Sequence, residues 1–172
     1  MALFFVADPP VTRSLRAGLL ETWTDASNAG GAIGFVPPIS PRDVEPLLDE
    51  QLSAVDQGRM LLVVGLDGDE VRAAGFIERN THRLMQHWVW VKTVMVHPEA
   101  QGRGAGFALM LALAAQARSM PGIEAVRLTC RGGLGLEDFY ARCGYKEVGR
   151  VPGAIRVGPG DERDDITMLL PL

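Results

Sequence analysis

Val94-Met95-Val96-His97-Pro98-Glu99-Ala100-Gln101-Gly102-Arg103-Gly104-Ala105-Gly106-Phe107 joins a strand-like run to an apolar helical one through a turn of three glycines. Its first three residues close a β-branched and aromatic run that begins at Trp88, and His97-Pro98 ends that run. Phe107, Met110, Leu111 and Ala114 then recur at helical spacing. Further Leu and Ala around the wheel predict a helix buried on more than one side. Between strand and helix, Gly102, Gly104 and Gly106 remove side chains from the turn. Successive backbone N–H groups can then approach an anion at the positive end of the helix macrodipole. Arg103 adds a guanidinium for a charge-assisted contact. A turn of this composition also serves a tight helix entry with no ligand.

Two nucleotide-binding alternatives fail on position and pattern. A dinucleotide fold places its glycine fingerprint in an early βαβ unit with an acid about twenty residues later. Here the glycines lie past mid-chain, after a β-hairpin. A nucleoside-triphosphate loop ends in Gly-Lys-Ser/Thr, which is absent.

On the N-terminal side, Arg59 to Leu66 and Val71 to Glu78 flank Asp67-Gly68-Asp69-Glu70 and read as an antiparallel hairpin. Upstream, Leu3 to Val6 reads as a strand. Thr12 caps a helix carrying Leu15, Leu19 and Trp23 on one face, residues 28–38 form a glycine- and proline-interrupted loop, and Ser40-Pro41 opens a second helix that Gly58 stops. Downstream, Ala125 to Cys130 is a strand, and Leu136, Phe139, Tyr140 and Cys143 mark one face of a short helix. Tyr145 to Val151 and Ile166 to Leu170 complete the sheet, separated by a loop rich in acidic residues. Alternation along the strand before the glycine turn places Trp88, Trp90 and Lys92 on one face and Val91, Thr93 and Met95 on the other.

A chain of 172 residues, 22% charged and 47% hydrophobic, suits one well-buried core, so residues 1–172 are read as one domain. A net charge of -4 gives no basic footprint for nucleic acid and no general repulsion of a cationic amine. The first ten residues lack a basic n-region, no apolar run reaches membrane-spanning length, and only Cys130 and Cys143 occur, without metal-ligand spacing. The expectations are a cytoplasmic protein with no metal and no membrane partner, for which a homodimer stays open.

The stretch around the glycine turn resembles the GNAT superfamily of acetyltransferases. The family signature Gln/Arg-x-x-Gly-x-Gly/Ala is met by Gln101, Gly104 and Gly106. Phe139-Tyr140-Ala141-Arg142-Cys143-Gly144-Tyr145 is similar to the later family segment Phe-Tyr-x-x-x-Gly-Phe/Tyr. With the closing Asp164-Asp165-Ile166-Thr167-Met168, the resemblance covers roughly residues 59–170. It implies a mixed, mostly antiparallel sheet of six or seven strands with helices on both faces, and acetyl-CoA as co-substrate. By the same resemblance the pyrophosphate would be held by Gln101, Gly102, Arg103, Gly104, Ala105 and Gly106. The pantetheine arm would lie along Val94, Met95 and Val96, across a gap between that strand and the one ending at Cys130. Tyr140 matches the tyrosine near the cofactor sulfur, where it can protonate the departing thiolate. A plain packing role on its helix is the alternative.

The acceptor is less legible. The loop between the first two helices overhangs the acceptor site in this fold, so Gly31, Ile33 and Phe35 are candidate substrate contacts, with Trp90. The Gly30 to Phe35 loop and Val151-Pro152-Gly153 also resemble the tabtoxin-resistance acetyltransferases. Trp90 and Thr129 lack the acidic groups expected of those enzymes, so their substrate is not carried over. Where some GNAT relatives place a glutamate base, this chain has Trp90. Candidate bases are Glu78 and the acidic run Asp161, Glu162, Asp164 and Asp165, the latter with a solvated-face alternative. His97 reads as a turn residue and Cys130 as a buried thiol. The implied reaction is direct transfer to a primary amine of a small molecule. A non-catalytic acetyl-CoA sensor and a protein N-terminal acetyltransferase are the rival readings.

Overall fold

Among the described residues, 3–172, the computed structural model runs β1 (Phe4–Ala7), α1 (Arg13–Asn28), α2 (Pro41–Asp56), β2 (Met60–Asp67), β3 (Glu70–Arg79), β4 (Trp88–Val96), α3 (Ala105–Ser119), β5 (Ala125–Arg131), α4 (Leu136–Arg142), β6 (Lys146–Gly158) and β7 (Asp161–Pro171). Met1 and Ala2, where the reading of the first ten residues begins, lie outside them. The seven strands form one sheet in the order β1-β2-β3-β4-β5-β7-β6. Every neighbouring pair is antiparallel except β4 and β5. Among the described residues no helix is long and apolar enough to cross a membrane.

Two apolar clusters bury the two faces. Leu19 and Trp23 of α1 and Val44 and Leu48 of α2 pack on Leu62, Phe76 and Met95. Leu109, Met110 and Leu113 of α3 pack on the other face with Val89, Val91, Val126 and Ile166. Local signals set the helix ends. Thr12 Oγ1 accepts from the Leu15 N–H, and Asp43 accepts from the Ser40 N–H and hydroxyl at the start of α2. The helix α3 buries one face only, correcting the expectation of burial on several sides. Phe107 and Leu111 are exposed, because the sheet takes the Leu109, Met110, Leu113 and Ala117 stripe.

Two further expectations change. The separation expected between the last two strands is a continuous hairpin turning at 159–160, so Asp161, Glu162, Asp164 and Asp165 belong to β7. The edge position of β6 tolerates Pro152, and the register shift between Val151 and Ile155 absorbs it. The second change is in β4. Ala74 pairs with Met95 but Phe76 pairs with Lys92, so β4 bulges over Thr93 and Val94, and Thr93 takes φ 51°. The bulge resets the alternation. Val91 faces α3, whereas Met95 joins the cluster beneath α1 and α2 and Thr93 Oγ1 accepts from Gln51 Nε2 of α2 at 2.7 Å.

Candidate active site

The site grows from where β4 and β5 stop pairing. As parallel neighbours they are matched only at Trp88, Val89 and Trp90 with Ala125, Val126 and Arg127, and beyond Trp90 they splay apart. Two adjoining cavities fill the splay. One, of about 300 Å³, is walled by Gly30, Gly31, Val94, Val96, Gln101 and Phe139 among others. The other, of about 540 Å³, is walled by Trp23, Ile33, Leu47, Trp90, Leu128 and Thr129 among others. Ala32, Ile33, Val94 and Tyr140 line both, so the two form one cleft crossing the sheet, with Tyr140 at the junction.

At the first end, Gln101 Nε2 donates to the Val96 carbonyl at 2.9 Å. In extended backbone one residue's N–H and C=O lie on the same side, so the Val96 N–H also faces the cleft rather than β3. The next residue, His97, donates its N–H to Arg72 of β3. Gly102 and Gly104 take φ 69° and 84°, the left-handed region that favours glycine, and Gly104 caps α3. Ala105 is buried at the helix start, and Arg103 is exposed with no ion pair among the described residues. At Gly106 an added Cβ would lie 3.3 Å from the Phe139 ring, which is how closely α3 meets α4 beside the cleft.

The loop over the second end is tied down at several points. Trp23 Nε1 donates to the Ile33 carbonyl, the Gly31 N–H donates to Ala26, and the Asn28 amide exchanges two hydrogen bonds with Ile39. Gly31 and Ile33 line the cleft. Phe35 lines neither cavity. It packs edge-on against Trp23 at 6.0 Å, and its carbonyl accepts from Arg131. Trp90 does line the second cavity, with its ring 5.0 Å from Trp88 and the Arg127 guanidinium over both rings. Sequence reasoning missed Trp23, Gln51, Thr93 and Leu128 as cleft residues. Helical periodicity marked Trp23 as core, and no pattern in the chain announces the bulge.

Four of the five candidate bases are ion-paired among the described residues, and Asp165, opposite Arg131 of β5, is not. Glu78 is ion-paired with Lys92 and lies outside both cavities. Asp161, Glu162 and Asp164 pair with Arg163, Arg156 and Arg150 along the hairpin, with Asp164 also accepting from the Gly153 N–H. His97 sits in a separate cavity beside Glu21 and Asp25. Its Nδ1 accepts from the Glu99 N–H and faces Arg72, and Nε2 lies 3.4 Å from Asp25 Oδ2. Glu21, Asp25 and His97 each bring one oxygen or nitrogen there, all within 4.8 Å of one another.

Burial holds the cleft phenol protonated. Loss of solvent, with Cys130 and Cys143 nearby, pushes Tyr140 well above the ordinary tyrosine range, and burial acts on Tyr145 in the same direction. The Cys130 thiol is pushed up to about 11, by burial first and then by Glu137 and Asp165, so it is a poor nucleophile at neutral pH. These raised values stabilise the fold below the ordinary values of 9.0 for cysteine and 10.0 for tyrosine. Above them the unfolded chain ionises first, and that stability is lost as pH rises. Thermal melts are expected to hold level to about pH 8.5 and fall steadily through pH 9–11. The Tyr145 hydroxyl is buried with no partner among the described residues. Tyr145→Phe is therefore expected to raise the midpoint at pH 7 by ~2–4 °C, about 1 kcal/mol, and to lessen the alkaline loss. A lower midpoint at pH 7 would show that the hydroxyl is satisfied.

Comparison with known proteins agrees with this geometry. The family model for the acetyltransferase (GNAT) family matches residues 20–145. The chain belongs to the GNAT acetyltransferase family. Among solved structures it is similar to the ribosomal-protein-alanine N-acetyltransferase from Brucella melitensis, at 18% identity and TM-score 0.77 over 99% of this chain and 100% of that one. It is similar also to the phosphinothricin acetyltransferase from Sinorhizobium meliloti in complex with acetyl-CoA, at 18% identity and TM-score 0.77 over 100% and 89%. An N-acetyltransferase from Staphylococcus aureus Mu50 is similar at 12% identity and TM-score 0.77 over 98% of each chain.

Proposed function

We propose that this chain transfers the acetyl group of acetyl-CoA to a primary amine of a small molecule, by direct attack within a ternary complex. One observation carries the reading: the continuous cleft through the β4–β5 splay, with Gln101, the first residue of the glycine turn, lining one end, an aromatic pocket at the other and Tyr140 between them. The amides from Gln101 to Gly106 hold the pyrophosphate, with Arg103 in reach as a counter-charge. The exposed edge of β4 beyond Trp90 pairs with the amide groups of pantetheine as if with another strand. As the amine attacks, the Val96 N–H stabilises the oxyanion on the thioester carbonyl, and Tyr140 donates its hydroxyl proton to the departing sulfur. A phenol held protonated by burial suits an acid and not a base.

The acceptor enters at the second end, against Gly31, Ile33 and Trp90, with Phe35 acting from behind by fixing Trp23. Walls of Trp23, Leu47 and Trp90 favour a compact acceptor over an extended peptide, and two free cysteines suit a reducing cytoplasm. Calorimetric titration with acetyl-CoA, paired with a thiol-release assay over a panel of amines, tests the reading. Micromolar binding together with amine-dependent release is expected. Binding without release from any amine would make the chain an acetyl-CoA sensor.

A further inference from the structure

Resting on the acetyl-transfer reading, we infer that His97 is a positioning residue for the coenzyme, its buried imidazole fixing the turn that presents the pyrophosphate-binding amides. The inference starts from where the N–H groups between β4 and α3 go. One residue past the end of β4, His97 donates its N–H to the Arg72 carbonyl of β3. Ala100 donates to the His97 carbonyl and Gln101 to that of Pro98. The Glu99 N–H has no backbone acceptor among the described residues and donates instead to His97 Nδ1 at 3.3 Å. Gln101 Nε2 closes the knot onto the Val96 carbonyl. From Gly102 to Gly106 the pattern reverses: none of these N–H groups has a backbone acceptor among the described residues. They are among the amides that the transfer reading places against the pyrophosphate.

The imidazole is the one side chain that caps this turn, and it is held from three elements. His97 is 7% exposed. Arg72 of β3, paired with Glu70 and Glu99, faces Nδ1, and Asp25 of α1 lies 3.4 Å from Nε2. The ring therefore ties the turn Pro98–Ala100 to the sheet and to α1, and a capping side chain supplies the acceptor that the first N–H groups of a helical turn lack. Past Gln101 the chain has little else to set its direction. Gly102 and Gly104 sit at positive φ, and an added Cβ at either meets nothing within 4 Å, so no neighbour packs against them. Without the cap, the turn would have to be ordered at the expense of coenzyme affinity. The thioester end is held separately, since Val96 pairs with Ala73 of β3 and its carbonyl accepts from Gln101. Loss of the imidazole should therefore be felt at the pyrophosphate and not at the reacting sulfur.

The test compares two donors that share the thioester and both pantetheine amides: acetyl-CoA, and S-acetylpantetheine, which ends before the pyrophosphate. The acceptor is an amine from the panel that supports thiol release. His97→Leu removes the acceptor nitrogen and keeps a buried body. It is expected to raise the calorimetric Kd for acetyl-CoA at least about tenfold and to lower kcat/KM for that donor in proportion, with kcat at saturation and KM for the amine within about threefold. With S-acetylpantetheine, kcat/KM should stay within about threefold of the unaltered chain. His97→Asn, whose Oδ1 sits at the position of Nδ1, should return the Kd for acetyl-CoA to within about threefold. Equal losses with both donors, an unchanged Kd in a folded His97→Leu variant, or no recovery in His97→Asn would overturn the inference. Where His97→Leu does not fold, His97→Ala takes its place; if neither folds, the imidazole serves the fold alone and the inference falls. An unaltered chain that binds acetyl-CoA but releases no thiol with any amine would defeat the transfer reading, while the Kd comparison would still decide the role of His97.

Discussion

Tyr140→Phe is expected to lower kcat by roughly 10²–10³-fold while leaving the Kd for acetyl-CoA within about twofold, a split that follows from donating a proton only as sulfur departs. The substitution is mild for the fold. Tyr140 is 8% exposed, and its ring meets Phe139 at 5.2 Å and Tyr145 at 6.0 Å, contacts that phenylalanine keeps. Its hydroxyl makes no protein hydrogen bond among the described residues, so its removal strands no buried partner. The measurement is steady-state turnover with a calorimetric Kd on the same preparation. Full turnover in Tyr140→Phe would return Tyr140 to a packing role and hand protonation of the thiolate to solvent. A loss of both turnover and affinity would mean that the hydroxyl positions the cofactor.

The parts legible in the chain are those governed by local chemistry. Helix caps at Thr12 and Ser40, the hairpin turn at Asp67-Gly68, the glycines at 102 and 104 and the apolar alternation of β2 and β3 each depend on a few neighbouring residues, and each is found where its pattern places it. The β4–β5 splay was also legible, through the family resemblance. What was not legible depends on partners distant in sequence. Thr93 leaves regular strand geometry on a β-branched residue that nothing local marks. Its hydroxyl is tied to Gln51, forty-two positions earlier. The acids of β7 looked like a solvated loop because their cross-strand arginines, Arg150 and Arg156, lie in β6, beyond Pro152 and Gly153. Pro and Gly break central strands, but an edge strand with a bulge accommodates both. Phe107 and Leu111 had the spacing of a core face and lie outside it, since helical periodicity gives a stripe but not which of two apolar stripes the sheet takes.

Gly104→Asp is expected to weaken acetyl-CoA binding by at least about 100-fold, and Gly104→Asn by less than about tenfold, with the two variants equally stable. The pair separates the two readings of the glycine turn. Both side chains tolerate the left-handed backbone that Gly104 adopts at φ 84°, and an added Cβ meets nothing within 4 Å, so each should fold at a similar small cost. They differ in charge. If the amides at the start of α3 hold a pyrophosphate, a carboxylate about 5 Å from it costs roughly 3 kcal/mol at an effective dielectric near 20, about two orders of magnitude in Kd. The neutral amide has no such term and retains a donor for phosphate oxygens. If the glycines serve only a tight helix entry, Asp and Asn are equivalent, or Asp is slightly better, since an acid at a helix N-terminus is favourable. Equal Kd values for the two variants would therefore remove the pyrophosphate from this turn. The expected hundredfold gap, shrinking as salt screens the repulsion, would place it there.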